Sequence, residues 1–234
     1  MRYEYKSALI VGAGSGLSAS IARLFHREGG MRIGLAARAV DKLHPLAMET
    51  DGVVYPCDAT KPDEVDALFE SMDTALGGAP EVVVYNASAR SRGPFVELDR
   101  DAVARALSVT AYGGFLVAQA AARRMCPKGR GAILFTGASA SVKGYAQSAP
   151  FAMGKFALRG LAQSLARELS PQGIHVAHFV IDGVIRNPGR EEPAAAPDSM
   201  LDPDAIARAY LDILRQDRSA WSWEVELRPW VERF

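Results

Sequence analysis

Cysteine is almost missing from this chain of 234 residues. Only Cys57 and Cys126 occur, which excludes a fold stapled by several disulfides. An excess of one charge is missing too: Lys plus Arg and Asp plus Glu both number 27. Nothing in the net charge therefore draws the chain to nucleic acid or to an anionic membrane. No apolar run is long enough to span a bilayer, and the opening stretch from Met1 to Lys6 is too charged for a secretory signal. What is present is a globular composition, 49% hydrophobic and 23% charged, able to bury a core. The expectation is a cytoplasmic protein, one domain over residues 1–234, acting on a small molecule with no nucleic-acid or membrane partner.

Short apolar runs rich in β-branched residues alternate with longer segments of helical spacing. Residues 8–11, 32–37, 53–55, 81–85, 132–135 and 175–180 read as strands. Residues 16–28, 60–76, 99–125 and 148–169 read as helices, with Thr60 and Asp99 as N-caps and Pro62 in a first turn. Asp202-Pro203-Asp204 starts a further helix, and a last strand lies near 223–227. Strand and helix in strict alternation predict an α/β fold: a Rossmann-like, doubly wound, largely parallel sheet with helices on both faces. Nearly all-apolar strands agree with burial on both sides. Residues 187–199 break the rhythm with three prolines. They read either as a plain connection or as a loop over a substrate site.

The first strand runs into Gly12-Ala13-Gly14-Ser15-Gly16-Leu17-Ser18, which opens a helix. Glycines let backbone approach a phosphate, and the helix amino end supplies free N–H groups and positive potential. Strand before and helix after make this a nucleotide loop rather than a tight turn alone. The second strand ends at Ala37-Arg38. An acidic residue there would suit a ribose 2′-hydroxyl, whereas an arginine suits a 2′-phosphate. The choice favours NADP over NAD, against the plainer alternative of a surface Arg38–Asp41 pair. His26, His44, His175 and His178 show no metal-ligand spacing.

The chain resembles the short-chain dehydrogenase/reductase (SDR) superfamily over essentially its whole length. The resemblance rests on the loop from Gly12 to Gly16, on Cys57-Asp58 after the third strand, and on Asn86-Ala87-Ser88 after the fourth. It continues with Phe151-Ala152-Met153-Gly154-Lys155 at the family's Tyr-x3-Lys position and Ile181-Asp182-Gly183 at its Pro-Gly. The segment from Lys155 to Gly183 is similar to a sub-group with Phe in place of Tyr. The resemblance implies cofactor contacts at Gly12, Gly14, Ser15, Gly16, Leu17, Arg38, Asp58, Asn86, Ala87, Lys155, Gly183 and Ile185. It also implies a homodimer or homotetramer.

The usual catalytic set departs from the family pattern. Thr110 stands at the Asn position, Ala138 at the Ser position with Ser139 following, and Phe151 at the Tyr position. Lys155 is retained, and Ser18 replaces the last glycine of the loop. Phe151 has no proton to give. A positioned general acid contributes ~10²–10⁴-fold, so ordinary carbonyl reduction is expected to be crippled. Candidate catalytic residues are Lys155, Ser139 and the aromatic ring of Phe151. Lys155 bridges the nicotinamide ribose on the family reading, or snorkels to water on the bland one. Tyr145 and Asp182 are alternative proton sources, or an ordinary loop tyrosine and a turn aspartate. The leading expectation is an NADP(H)-dependent oxidoreductase with non-standard proton delivery, reduction of an activated C=C bond being one outlet. The alternative is a nucleotide-binding protein without turnover.

Overall fold

In the computed structural model, which describes residues 4–232, the expected parallel sheet is present. Seven strands form it: β1 (Ser7–Val11), β2 (Arg32–Ala37), β3 (Val53–Pro56), β4 (Val82–Tyr85), β5 (Gly131–Thr136), β6 (Ile174–Ile181) and β9 (Glu224–Leu227). Their order is β3-β2-β1-β4-β5-β6-β9, and every neighbouring pair is parallel. Two further short strands, β7 (Val184–Ile185) and β8 (Met200–Leu201), pair with each other outside the sheet. The chain reverses direction of travel between β1 and β4. At such a switch point the strand carboxyl ends leave a crevice.

The period of two along each strand splits the apolar residues between two cores. Ile10, Leu35, Val84, Leu134 and Phe179 face one side, where α1 (Leu17–Arg27), α2 (His44–Glu49) and α7 (Pro203–Leu214) pack. Leu9, Val83, Tyr85, Ile133 and Val176 face the other. There they meet α3 (Pro62–Ala75), α5 (Gly113–Met125) and α6 (Ala149–Leu169). Gly114 allows α5 to lie close to the sheet: a Cβ there would stand 2.6 Å from Leu158 Cδ1 and 3.3 Å from the Tyr85 ring.

Several local expectations are corrected. Residue Thr60 does not cap α3. The cap position is Lys61, without a side-chain bond, because the Thr60 hydroxyl donates instead to Asp58 Oδ1 at 2.8 Å. Asp99 does cap its helix, accepting from the Ala102 N–H at 2.6 Å. The long helix expected over 99–125 is divided into α4 (Arg100–Leu107) and α5 by a π-helical turn, Ser108–Tyr112. That turn carries Thr110 and displaces the Val109 carbonyl, which accepts from the Tyr85 hydroxyl. Helix α2 has no counterpart in the sequence reading, being only six residues long. His175 and His178 lie within β6 and are buried. Residues 187–199 contain one bridge, Asn187 to Arg190. The β7–β8 ladder draws the two sides of the loop together, and the Glu192 carboxylate accepts from the Met200 N–H at 2.9 Å.

Candidate active site

The strand carboxyl ends open onto a cleft in two halves that share Asn86 and Ser88. The outer half, a cavity of about 330 Å³, is lined by Gly12, Ala13, Arg38, Lys42, Asp58, Thr60 and Ala87 among others. The inner half, about 290 Å³, is lined by Gly16, Leu17, Arg90, Thr136, Phe151, Lys155, Gly183, Ile185 and Arg190 among others. The first loop, the residues after β4, Lys155 and the residues after β6 thus gather along one sheet edge.

Chain geometry makes the loop after β1 suited to a phosphate. Gly12 has φ +84, and a Cβ on it would stand 2.4 Å from the Ala87 nitrogen, so only glycine fits. Positions 14 and 16 have open space in front of them: a Cβ at Gly14 meets nothing within 4 Å, and one at Gly16 meets only Asn187 at 3.6 Å. No side chain caps α1 and no acid lies in its first turn, so its amino end keeps its positive potential. Gly14 and Ser15 sit between the residues lining the two halves. Ser18, which the resemblance sets at the family's last loop glycine, has a structural role. It donates to the Gly12 carbonyl at 3.1 Å and accepts from Asn86 Nδ2 at 2.6 Å. The loop after β1 and the loop after β4 are thereby joined.

At the far corner of the outer half, Arg38 and Lys42 both line the cavity. Arg38 makes no ion pair with Asp41 among the described residues. Asp58 is the one acid lining this half. Its carboxylate is held below the usual range, first by the Thr60 N–H at 3.0 Å and then by the Thr60 hydroxyl. Lys42 escaped the sequence reading, although its place four residues after Arg38 was a visible signal.

In the inner half Lys155 is buried, and its Nζ donates to the Thr136 carbonyl at 2.7 Å. Burial first, and the charge of Arg90 second, push its ammonium down to about 7. Phe151, one helical turn earlier, is buried with Lys155 Nζ 5.9 Å from its ring centroid. Above that ring lies Arg90, its guanidinium carbon 4.3 Å from the centroid. Thr110 is buried and anchors the loop after β4, its Oγ1 accepting from the Ala89 N–H at 3.2 Å. Ala138 lines the inner half, whereas Ser139 and Tyr145 do not. Arg90 and Thr136 were not singled out from the sequence; the run Arg90-x-Arg92 behind Asn86 was the available signal for the first.

A buried polar chain supports the loop after β5. The Ala138 N–H donates to Ser141 Oγ at 3.1 Å, and Ser141 Oγ lies 3.3 Å from His178 Nε2. On the other side of the ring, His178 Nδ1 lies 3.1 Å from Glu224 Oε2. Burial holds His178 down to about 4, hence neutral. Since a carboxylate only accepts, Nδ1 carries the proton and Nε2 receives the serine hydroxyl. Arg159 completes the chain with two bonds to Glu224, at 2.6 and 2.8 Å. Asp182 is buried and ion-paired to Lys143 at 2.9 Å and Arg228 at 3.8 Å. It lines neither half of the cleft.

A family model described as enoyl-(acyl carrier protein) reductase matches residues 12–210. A (+)-borneol dehydrogenase of Salvia officinalis is 34% identical over 180 residues, covering 74% of this chain and 67% of the relative. An uncharacterized oxidoreductase of Staphylococcus aureus is 29% identical over 96% of this chain and 97% of its own. Among solved structures, a short-chain dehydrogenase from Rhodopseudomonas palustris superposes with a TM-score of 0.82 at 34% identity, covering 96% of this chain and 99% of that one. An alcohol dehydrogenase of Thermococcus sibiricus, complexed with 5-hydroxy-NADP, gives 0.84 at 26% identity over 97% and 98%. A family match over residues 12–210, together with similarity in sequence and fold that runs through most of the chain, makes this chain a member of the short-chain dehydrogenase/reductase superfamily of oxidoreductases.

Proposed function

We propose that this chain is an NADP(H)-dependent oxidoreductase of a small-molecule substrate in which Lys155, and not residue 151, holds the transferable proton. The observation that carries the cofactor reading is the outer corner of the cleft. Arg38 and Lys42 stand there together, with no acid at the end of β2 to oppose a 2′-phosphate. The remaining contacts fit the same molecule. The uncapped amino end of α1 suits a pyrophosphate. Among the described residues Asp58 Oδ2 has no hydrogen-bond partner and suits an adenine amino group, Oδ1 being engaged by Thr60. Gly183 and Ile185 line the end expected to take the nicotinamide. A metagenomic short-chain oxidoreductase that is 26% identical to this chain has been solved in complex with NADP.

The chemistry that the cofactor supplies when bound is hydride transfer. Proton delivery is left to the protein. Phe151 offers no hydroxyl, and of the residues lining the inner half only Lys155 titrates near neutrality. A general acid works best with a pKa near the operating pH, which is the condition that burial imposes on Lys155. Its Nζ has one bond to Thr136 and two further N–H donors for ribose or substrate oxygens.

Calorimetric titration of NADP and NAD tests the first half: NADP should bind tighter by roughly one to two decades, the worth of one charge-assisted hydrogen bond. Equal affinities would remove the NADP assignment. The absent phenol favours one second reading, a protein that binds the cofactor without turning over. Tight NADPH binding, with no oxidation of it across ketone, aldehyde and enone panels, would move that reading ahead.

A further inference from the structure

We propose that the substrate carries a carboxylate group and that Arg90 binds it at the inner half of the cleft. The inference rests on the oxidoreductase reading above and goes on to name the substrate class.

Arg90 has no carboxylate and no hydrogen-bond partner among the described residues. Its one specific contact is the face of Phe151, 4.3 Å away. A ring under a guanidinium fixes its plane while leaving the edge N–H groups free, and those edges match a carboxylate bidentately. The surroundings sharpen the need for an anion. Arg92 and Arg190 act on Arg90 as like charges, and neither forms an ion pair among the described residues. Lys155 adds a further cation on the same cavity wall. No Asp or Glu lines the inner half. Arg90, Arg92 and Arg190 are exposed, so water screens them in the free protein. A carboxylate that displaces this water gains a charge-assisted pair with Arg90 and a favourable field from the other cations.

The cofactor's own phosphates have other partners in the proposed arrangement. Arg38 and Lys42 serve the ribose corner, and the amino end of α1 serves the pyrophosphate. Arg190 belongs near that amino end, since its bridge partner Asn187 lies 3.6 Å from where a Gly16 Cβ would stand. Arg90 instead covers residue 151, one turn from Lys155, which is where the reacting carbon must come. A carboxylate against Arg90 also screens its charge from Lys155 and so favours the ammonium form when substrate is present.

The test uses the whole protein saturated with NADP⁺, titrated calorimetrically with levulinate and with methyl levulinate, which share a ketone and differ in charge. The expected result is a preference for the acid on the order of tenfold or more. Arg90→Leu should reduce that preference to parity, and Arg90→Lys should retain part of it. Both variants should bind NADP⁺ within about twofold of the parent, which also shows that they fold. The inference is overturned if the acid binds no better than the ester, including the case in which neither gives heat. It is equally overturned if Arg90→Leu leaves the preference intact. A large loss of NADP⁺ affinity in Arg90→Leu would mean that the guanidinium serves a cofactor phosphate, ending this inference while leaving the cofactor reading in place. If the parent binds no NADP⁺, the cofactor reading fails by itself. The same titrations on the free protein then decide whether Arg90 selects the acid.

Discussion

The guanidinium of Arg90 lies over the ring of Phe151, 4.3 Å from its centroid. A cation therefore covers the ring that the resemblance sets at the family's Tyr position. Phe151→Tyr adds one hydroxyl beside Lys155 and Arg90, two positive charges that lower a phenol pKa. NADPH-dependent reduction of simple ketones, followed by loss of NADPH absorbance, should rise by up to ~10²-fold. No gain, with cofactor still bound, would mean that the cleft does not present a carbonyl to residue 151.

Arg38 and Lys42 share the outer corner. Arg38→Ala and Lys42→Ala should each weaken NADP binding, by roughly tenfold or more for the arginine, and leave NAD affinity nearly unchanged. Calorimetry on both cofactors checks this. A parallel loss for NAD and NADP would place the two side chains away from the 2′-phosphate.

Lys155 links stability to pH, and the sign follows from its buried ammonium. Its pKa is about 7 in the folded protein against 10.5 in its ordinary state. Between those values the unfolded chain binds the extra proton, so the lysine's contribution to stability rises with pH. The contribution is complete above 10.5 and is lost as pH falls through about 7. Urea denaturation of the parent should show this slope, at most roughly 1.4 kcal/mol per pH unit. Lys155→Met should abolish it, gaining most on the parent at mildly acidic pH. Identical slopes for parent and variant would argue against a depressed pKa.

Ser18 ties Asn86 to Gly12 through one hydroxyl. Ser18→Ala leaves Asn86 Nδ2 without its partner in a half-buried site, at a cost of about 1–3 kcal/mol. Chemical denaturation measures that cost. NADP affinity should fall as well, because the loops after β1 and β4 lose their tie. A stability change within a few tenths of a kcal/mol would show that water replaces the serine.

Sheet and helix order were legible in the sequence because each rests on a local period. Apolar runs such as those at 8–11 and 132–135 are strands buried on both faces, and the strict alternation leaves parallel pairing as the natural arrangement. The glycine loop, Asp58, Asn86 and Lys155 were legible for a similar reason. Each sits at a strand end or at a fixed spacing on a helix, so the topology alone delivers them to one edge. Local chemistry misled where a side chain had two possible partners: Thr60 bonds Asp58 instead of capping α3, and the π-helical turn at Thr110 interrupts what reads as one helix.

The sequence by itself determined the parallel α/β fold, the sheet edge that carries the candidate site, and the presence of a ring without a hydroxyl at position 151. Tertiary structure alone decided what surrounds that position. Arg90 meets a ring 61 residues away in the chain, and Ser141 meets His178 at a separation of 37 and His178 meets Glu224 at 46. Strand register and loop path set these meetings, and neither leaves a period in the sequence. Burial is decided the same way. Lys155 is an ordinary lysine by residue type, and only the packing of α6 against β5 removes its ammonium from water and brings its pKa to about 7.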